Sequence, residues 1–319
     1  MLRDDVECVS LRGRPIPGTE GMDEFFPGTL KVWDEWSPAT IPLDREHAPM
    51  TNLAGPHYPA DFAHRLYAQE AFHSGWTKSY ADEKSPPYSL QWFLEIESKR
   101  HERHGKWIPR LLEFAKHSGE KLLGLGDGLG TDWIQYARHG ADVVVCCPHA
   151  EQLGLIQRNF ELRGLSGRFL HVSPTCLPIP NASIDVVCVS GLLDRATEPR
   201  ALVDEIFRVL KPGGKVLAVA PAFYDVDFWS RLCMPWQQWL PLGRSNVDTS
   251  PAGYSRRRLK LLFRQFADHR VHKRQLRRTE VPHVWRVVPL PMLERLMGRL
   301  LVLKAFKPLS AAVGLQIAA

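Results

Sequence analysis

From Lys121 onward the chain alternates between two hydrophobic rhythms. Short runs rich in Leu, Val, Ile and Cys fall at 122–125, 142–147, 168–172, 184–190 and 215–220. Their length and β-branched content suit strands buried on both faces. Between them, 132–139, 150–163 and 199–210 space apolar residues three and four apart, as amphipathic helices do. This alternation predicts an α/β architecture: a parallel sheet with helices on both sides. Upstream, Pro86-Pro87 precedes helical sequence at 90–104 and 108–117. Lys211-Pro-Gly-Gly214 predicts a helix stop and a sharp turn before the next strand. Downstream, an aromatic segment at 223–229 and 234–239 leads to a basic helix at 256–266 and a basic strand at 270–276. A helix at 292–299 and a strand at 300–306 follow.

Residues 1–88 behave differently. They are rich in Pro, Gly and aromatics, with poor periodicity until 62–69, and predict an extended arm that packs through its aromatic side chains. The expected organisation is therefore an arm at 1–88, an α/β core at 89–221, and a segment at 222–319 that completes the same sheet.

Composition narrows the setting. The net charge of +6 is uneven: residues 254–307 hold fifteen Lys and Arg against three Asp and Glu. Such a basic third suits a solvated face or peripheral contact with a membrane surface. No zinc-finger, heptad or single-strand-binding pattern accompanies it, so nucleic acid is not an expected partner. The six cysteines follow no paired spacing and mostly sit in strand-like runs, which predicts buried thiols rather than disulfides or a metal site. Charges at Arg3, Asp4 and Asp5 do not suit a secretory leader, and no apolar run reaches the ~18 residues of a membrane span. The expected location is cytoplasmic, with peripheral membrane contact through the basic third.

The chemistry concentrates at Leu125-Gly-Asp-Gly-Leu-Gly-Thr-Asp132, where an apolar strand meets alternating glycines and a helix follows. Bare backbone at such a turn lets a ligand approach closely. The dinucleotide fingerprint Gly-x-Gly-x-x-Gly does not fit: from Gly124 its third glycine would be Leu129, and from Gly126 it would be Thr131. Further motifs follow in order. They are Gly140-Ala141, Leu177-Pro178-Ile179-Pro180, Ser183-Ile184-Asp185-Val186-Val187, and Glu205 through Lys211-Pro-Gly-Gly214. Together they resemble the class I S-adenosylmethionine-dependent methyltransferases of the small-molecule type over residues 111–221. The resemblance implies a Rossmann-like three-layer sandwich with a seven-stranded, mostly parallel sheet whose last strand pair is antiparallel.

It also implies a site. Gly126, Gly128 and Gly130 would line the methionine part of S-adenosylmethionine. Relatives place acids at three further positions, and here those are Gly124, Cys147 and Ser173. Hydrogen bonds to charged groups contribute about 1.5–3 kcal/mol each, so losing the ribose-binding acid alone weakens binding roughly ten- to a hundredfold. Asp127 inside the loop and Asp132 at the helix start are candidates to compensate, and Pro148, His149, Pro174 and Ser190 complete the expected lining. Asp132 also suits a helix-start acid complementing the dipole. Asp194 and Tyr224 are the candidate proton acceptors, with a plain salt bridge to Arg195 the competing role for Asp194. The resemblance makes 89–221 a nucleotide-binding core and implies methyl transfer to a small molecule. The aromatic segment 223–239 lies where relatives cover substrate, and its tryptophans suggest an apolar acceptor. The alternative is a protein of this fold that has lost the cofactor and serves as a binding, scaffold or membrane-surface protein.

Overall fold

The computed structural model describes residues 85–126, 128–233, 253–281 and 285–309. Almost all of the expected arm, Asp127 and the aromatic run 234–239 lie outside them.

Five strands run parallel: β1 (Lys121–Gly126), β2 (Asp142–Cys147), β3 (Arg168–His171), β4 (Ile184–Ser190) and β5 (Leu210–Pro221). Two more, β6 (Ala267–Arg274) and β7 (Leu300–Phe306), close the sheet: β7 pairs antiparallel with β5, and β6 pairs antiparallel with β7. The order is β3-β2-β1-β4-β5-β7-β6. This is the mostly parallel, seven-stranded sheet that the alternating pattern and the resemblance predicted. The chain reverses its direction of winding between β1 and β4, and a crevice opens outside the strand ends at such a crossover.

Alternation along each strand divides the core into two faces. Leu123, Leu125, Val187, Val189 and Ala218 pack on one side with Leu202 and Ile206 of helix α5 (Pro199–Val209). Leu122, Val145, Cys147, Cys188 and Leu217 pack on the other. Their partners include Trp133 and Ile134 of α3 (Thr131–Arg138) and Ile156 and Phe160 of α4 (Ala150–Glu161). Cys146 and Cys188 lie within these layers, and burial pushes both thiols up to about 12, which leaves them protonated and unreactive. Cys176 departs from the expected thiols, because it is disulfide-bonded.

Two expectations need correction. The helix over 90–104 is not continuous: α1 (Leu90–Ser98) gives way to a π-helical stretch at Lys99–His104. Its wider turn brings Arg100 and His101 inward, although the run Lys-Arg-His-Glu-Arg-His looks wholly solvent-facing. Lys211-Pro-Gly-Gly214 is likewise not a turn ahead of a strand. It stays within β5, where the register with β4 skips from Ile184↔Leu210 to Val186↔Lys215. Lys307 supplies the backbone partners for this bulge: Gly213 N donates to Lys307 O, and Lys307 N donates to Gly214 O. A glycine with φ +78° at Gly213 lets the backbone make that excursion.

Short helix α2 (Ile108–Leu111) leads to Glu113, whose side chain gathers three lysines. Lys116, Lys215 of β5 and Lys304 of β7 donate to its carboxylate at 3.1, 2.6 and 2.7 Å. Glu113 is buried, which opposes ionisation, yet the lysines outweigh burial and hold its carboxyl at about 2. A carboxylate depressed in this way stabilises the fold above its ordinary value of 4.5, and that contribution is lost as pH falls toward 2. We expect Glu113→Gln to lower stability at neutral pH and to flatten the decline in urea midpoint between those two pH values. A variant that declines as steeply as the parent would refute this assignment.

Candidate functional site

The glycine loop leaves β1 at the β1–β4 crossover, and its shape follows from what lies beneath it. Gly124, in the middle of β1, pairs with Val145 on one side and Cys188 on the other. The indole of Trp133 lies across it: a Cβ on Gly124 would fall 2.7–2.8 Å from three indole atoms. The ring continues to Gly130, where an added Cβ would meet its Cε3 at 3.4 Å. Trp133 is buried, so its ring cannot swing away. At the strand end, Gly126 has φ +149°, and a Cβ there would fall 1.9 Å from the Ser190 carbonyl oxygen. Only glycine permits this approach of β1 and β4.

Helix α4 holds the loop from behind. Gly128 N donates to Gln152 Oε1 at 3.2 Å, and Asn159 Nδ2 donates to Leu129 O at 2.9 Å. Leu129 is fully buried among Trp92, Phe93 and Ile96 of α1 and Leu155 of α4. Glu97 of α1 ties the same helices with charge. Gln135 and Arg138 of α3 donate to it at 2.8 and 2.5 Å, and Arg163 beyond α4 also pairs with it. Gln152 and Asn159 escaped sequence reasoning because one polar residue per turn on an amphipathic helix looks like its wet face. Their spacing of seven, on one side of α4, was the available signal.

Asp132 is the most constrained acid of the site. Arg100 grips it with two parallel bonds, Nε to Oδ1 at 2.8 Å and Nη2 to Oδ2 at 2.5 Å. His101 Nε2 lies 3.0 Å from Oδ1, and Ser190 Oγ donates to Oδ2 at 3.4 Å. Burial opposes its charge, but Arg100 and His101 outweigh burial and hold the carboxyl well below the usual carboxylate range. The structure thus engages Asp132 in a buried ion pair between the π-helical stretch and the start of α3. That fills its acceptor sites with protein donors, whereas the sequence suggested a ligand contact or a simple dipole partner.

The other expected site residues separate into groups. Cys147 ends β2 fully buried in the core layer, with its thiol 3.5 Å from His149 O. His149 itself is exposed at the start of α4, and Pro148 O meets His171 Nε2 at 3.0 Å. Ser173 is exposed, with Oγ 2.8 Å from Thr175 Oγ1, and Pro174 beside it is half-buried. Gly126, Gly130, Cys147 and Ser190 therefore border the crossover, while Gly124 lies under the indole. Asp127 lies outside the described residues.

Beyond β4 and β5, Tyr254 joins the two loops. Its hydroxyl donates to Leu193 O at 3.0 Å, its N–H donates to Pro221 O, and its carbonyl accepts from Phe223 N. Burial pushes its phenol up. Asp194, next to Leu193, has both carboxylate oxygens buried. Tyr224 is half-exposed in an aromatic cluster with Phe223 and Phe228, each ring centroid 5.0 Å from its own. Tyr254 thus sets Asp194 and Tyr224 on two loops that share one tether.

Comparison with known proteins adds a further observation. Residues 122–218 match a family model described as a methyltransferase domain. A demethylmenaquinone methyltransferase of Paenarthrobacter aurescens is 31% identical over 137 residues, covering 43% of this chain and 53% of that protein. One from Clavibacter sepedonicus is 38% identical over 104 residues, covering 31% and 40%. The chain thus spans about half the length of these curated relatives, or less. A solved structure from Galdieria sulphuraria, described as a candidate sarcosine dimethylglycine methyltransferase, superposes with a TM-score of 0.50 at 15% identity. It covers 78% of this chain and 97% of its own, a likeness of fold.

Two substitutions test the site. Gly124→Ala should cost about 1–3 kcal/mol by overpacking against the indole, and the same change in a Trp133→Ala background should cost nothing. Strict additivity in denaturant titrations of this double-mutant cycle would rule out the contact. Asp132→Asn should cost about 3–5 kcal/mol, because it leaves the Arg100 charge buried without its counter-ion. A loss under 1 kcal/mol in the same titration would contradict the pairing.

Proposed function

We propose, from the match of residues 122–218 to a methyltransferase-domain model, that this chain transfers a methyl group from S-adenosylmethionine to a small, apolar acceptor. The supporting observation is the glycine loop, set at the β1–β4 crossover and fixed from behind by Gln152 and Asn159. The residues suit this cofactor through backbone rather than carboxylates. Gly126 and Gly130 carry no side chain at the crossover, and α3 begins directly after Gly130. Bound there, the cofactor supplies an electrophilic methyl group.

The chain's own part is placement and, where the acceptor carries a proton, its removal. In-line displacement depends mostly on holding the two reacting atoms in contact. The Phe223–Tyr224–Phe228 cluster at the end of β5, with Tyr224 set edge to face against both phenylalanines, offers an exposed aromatic surface for an acceptor. An aromatic ring of the quinol type, suggested by the names of the curated relatives, would suit it. We assign proton removal to Asp194, with Tyr224 lining the same mouth. A base is required only for an acceptor whose nucleophilic atom is protonated.

One observation favours a second reading. The Trp133 indole occupies the space beside Gly124 where relatives carry an acid, so a protein of this fold that no longer binds the cofactor has a structural basis. A calorimetric titration with S-adenosylmethionine and its demethylated product separates the two. The enzyme reading expects binding about ten- to a hundredfold weaker than at a site with the ribose carboxylate, with the demethylated product competing. No heat and no rise in Tm at millimolar ligand would leave the scaffold reading standing.

A further inference from the structure

Helix α8 (Leu290–Met297) is apolar on two sides. One side is committed: Leu293 and Met297 are buried with Val226 of helix α6 (Val226–Cys233), Leu276 and Val281. The other side has no such cover among the described residues. Met292 and Leu296, one turn apart, are 63% and 41% exposed, and Val287 on the approach to the helix is 86% exposed. A soluble surface rarely collects large aliphatic side chains in this way without a partner.

The charges around this face are ordered. Arg256, at the start of helix α7 (Arg256–Leu262), donates to Arg295 O at 3.0 Å, and Arg278 donates to Val288 O at 2.7 Å. Both are exposed, as is Arg295, so three guanidinium groups frame Val287, Met292 and Leu296. The acids nearby are engaged in ion pairs, three of them on one arginine. Glu294 pairs with Arg274, while Asp225, Asp227 and Glu280 converge on Arg299. Asp268, the remaining acid between residues 254 and 307, pairs with Arg270. Even with Asp225 and Asp227 counted, the fifteen Lys and Arg of residues 254–307 far outnumber the acids, so the region is net positive. Lys273 Nζ donates both to Leu296 O and to Tyr224 O, so α8 and the aromatic cluster share one anchor.

We propose that this surface docks on an anionic phospholipid bilayer, with Val287, Met292 and Leu296 entering the interface and Arg256, Arg278 and Arg295 meeting lipid phosphates. Arginines framing aliphatic side chains form the pattern of an interfacial element. The aliphatic groups offer no flat surface for stacking bases, which argues against single-stranded nucleic acid. No helix among the described residues is long and apolar enough to cross a membrane, so the contact is peripheral. This assignment stands independently of methyl transfer, although it would set the aromatic cluster beside a lipid phase.

The test is co-sedimentation of the full chain with vesicles of phosphatidylcholine alone or mixed with phosphatidylglycerol, at low and physiological salt. We expect binding to the anionic vesicles only, weakening as salt rises. Reversing Arg256, Arg278 and Arg295 to Glu should lower the partition coefficient about a hundredfold or more. Met292→Ser with Leu296→Ser should lower it about tenfold, with Tm unchanged because both side chains face outward. Should that double variant fold poorly, Val287→Ser gives the same test from a loop. Equal binding to neutral vesicles, binding to neither, or serine variants that bind as well as the parent would each overturn the proposal. So would displacement of the protein from vesicles by an acidic oligonucleotide or an acidic protein that binds the serine variants equally well.

Discussion

A strand can carry a helix only as close as the side chains between them allow, and at the centre of this molecule the distance is set by one indole. Trp133 lies flat across Gly124 and reaches Gly130, so the first strand, the loop and the first crossover helix share one wall. Filling that space with carbon fixes the loop by packing rather than by hydrogen bonds to a strand-end acid. The exchange has two sides. It gives the loop a dry, rigid floor, and it removes the position from which a carboxylate would reach a ligand. Cys147 extends the same logic to the neighbouring strand, where a fully buried thiol belongs to the hydrophobic layer.

Beside that floor lies Asp132, committed to Arg100 and His101. A buried ion pair seldom adds net stability, because two charges lose their hydration. Its value here is geometric. Two parallel bonds from a guanidinium define direction as well as distance, so the segment preceding the sheet is oriented against the loop. Glu97 and the apolar seal around Leu129 finish that attachment. The crossover loop therefore rests partly on helix α1.

The sheet was legible because buried strands and amphipathic helices leave distinct periodicities, and because glycine and proline mark where they end. The antiparallel closing strands were legible for the same reason. The interior of the site was much less so. Gly124 could be recognised as an absent acid, but not as space taken by Trp133, since that contact joins a strand to the following helix through shape alone. Arg100 and His101 stood in a charged run indistinguishable from a solvated face until the helix widened beneath them. Lys211-Pro-Gly-Gly214 resembles a turn in isolation, yet it stays in the sheet because Lys307, nearly a hundred residues later, supplies its partners. Local pattern reports local preference, and each of these departures was decided by a distant residue.

The π-helical stretch at Lys99–His104 bears on a different kind of question, that of phase. A π turn holds about one residue more than an α turn, and one residue of α-helix corresponds to about 100° of rotation. Trp92, Phe93 and Ile96 on one side of this stretch and Arg100 and His101 within it are therefore aimed by a count of residues as much as by their chemistry. Shortening the run by one residue would keep every side chain that seals the loop or grips Asp132, yet the two sets could no longer face it together. Here the length of the chain is itself a structural determinant, as an offset between gear teeth is, and composition alone does not record it.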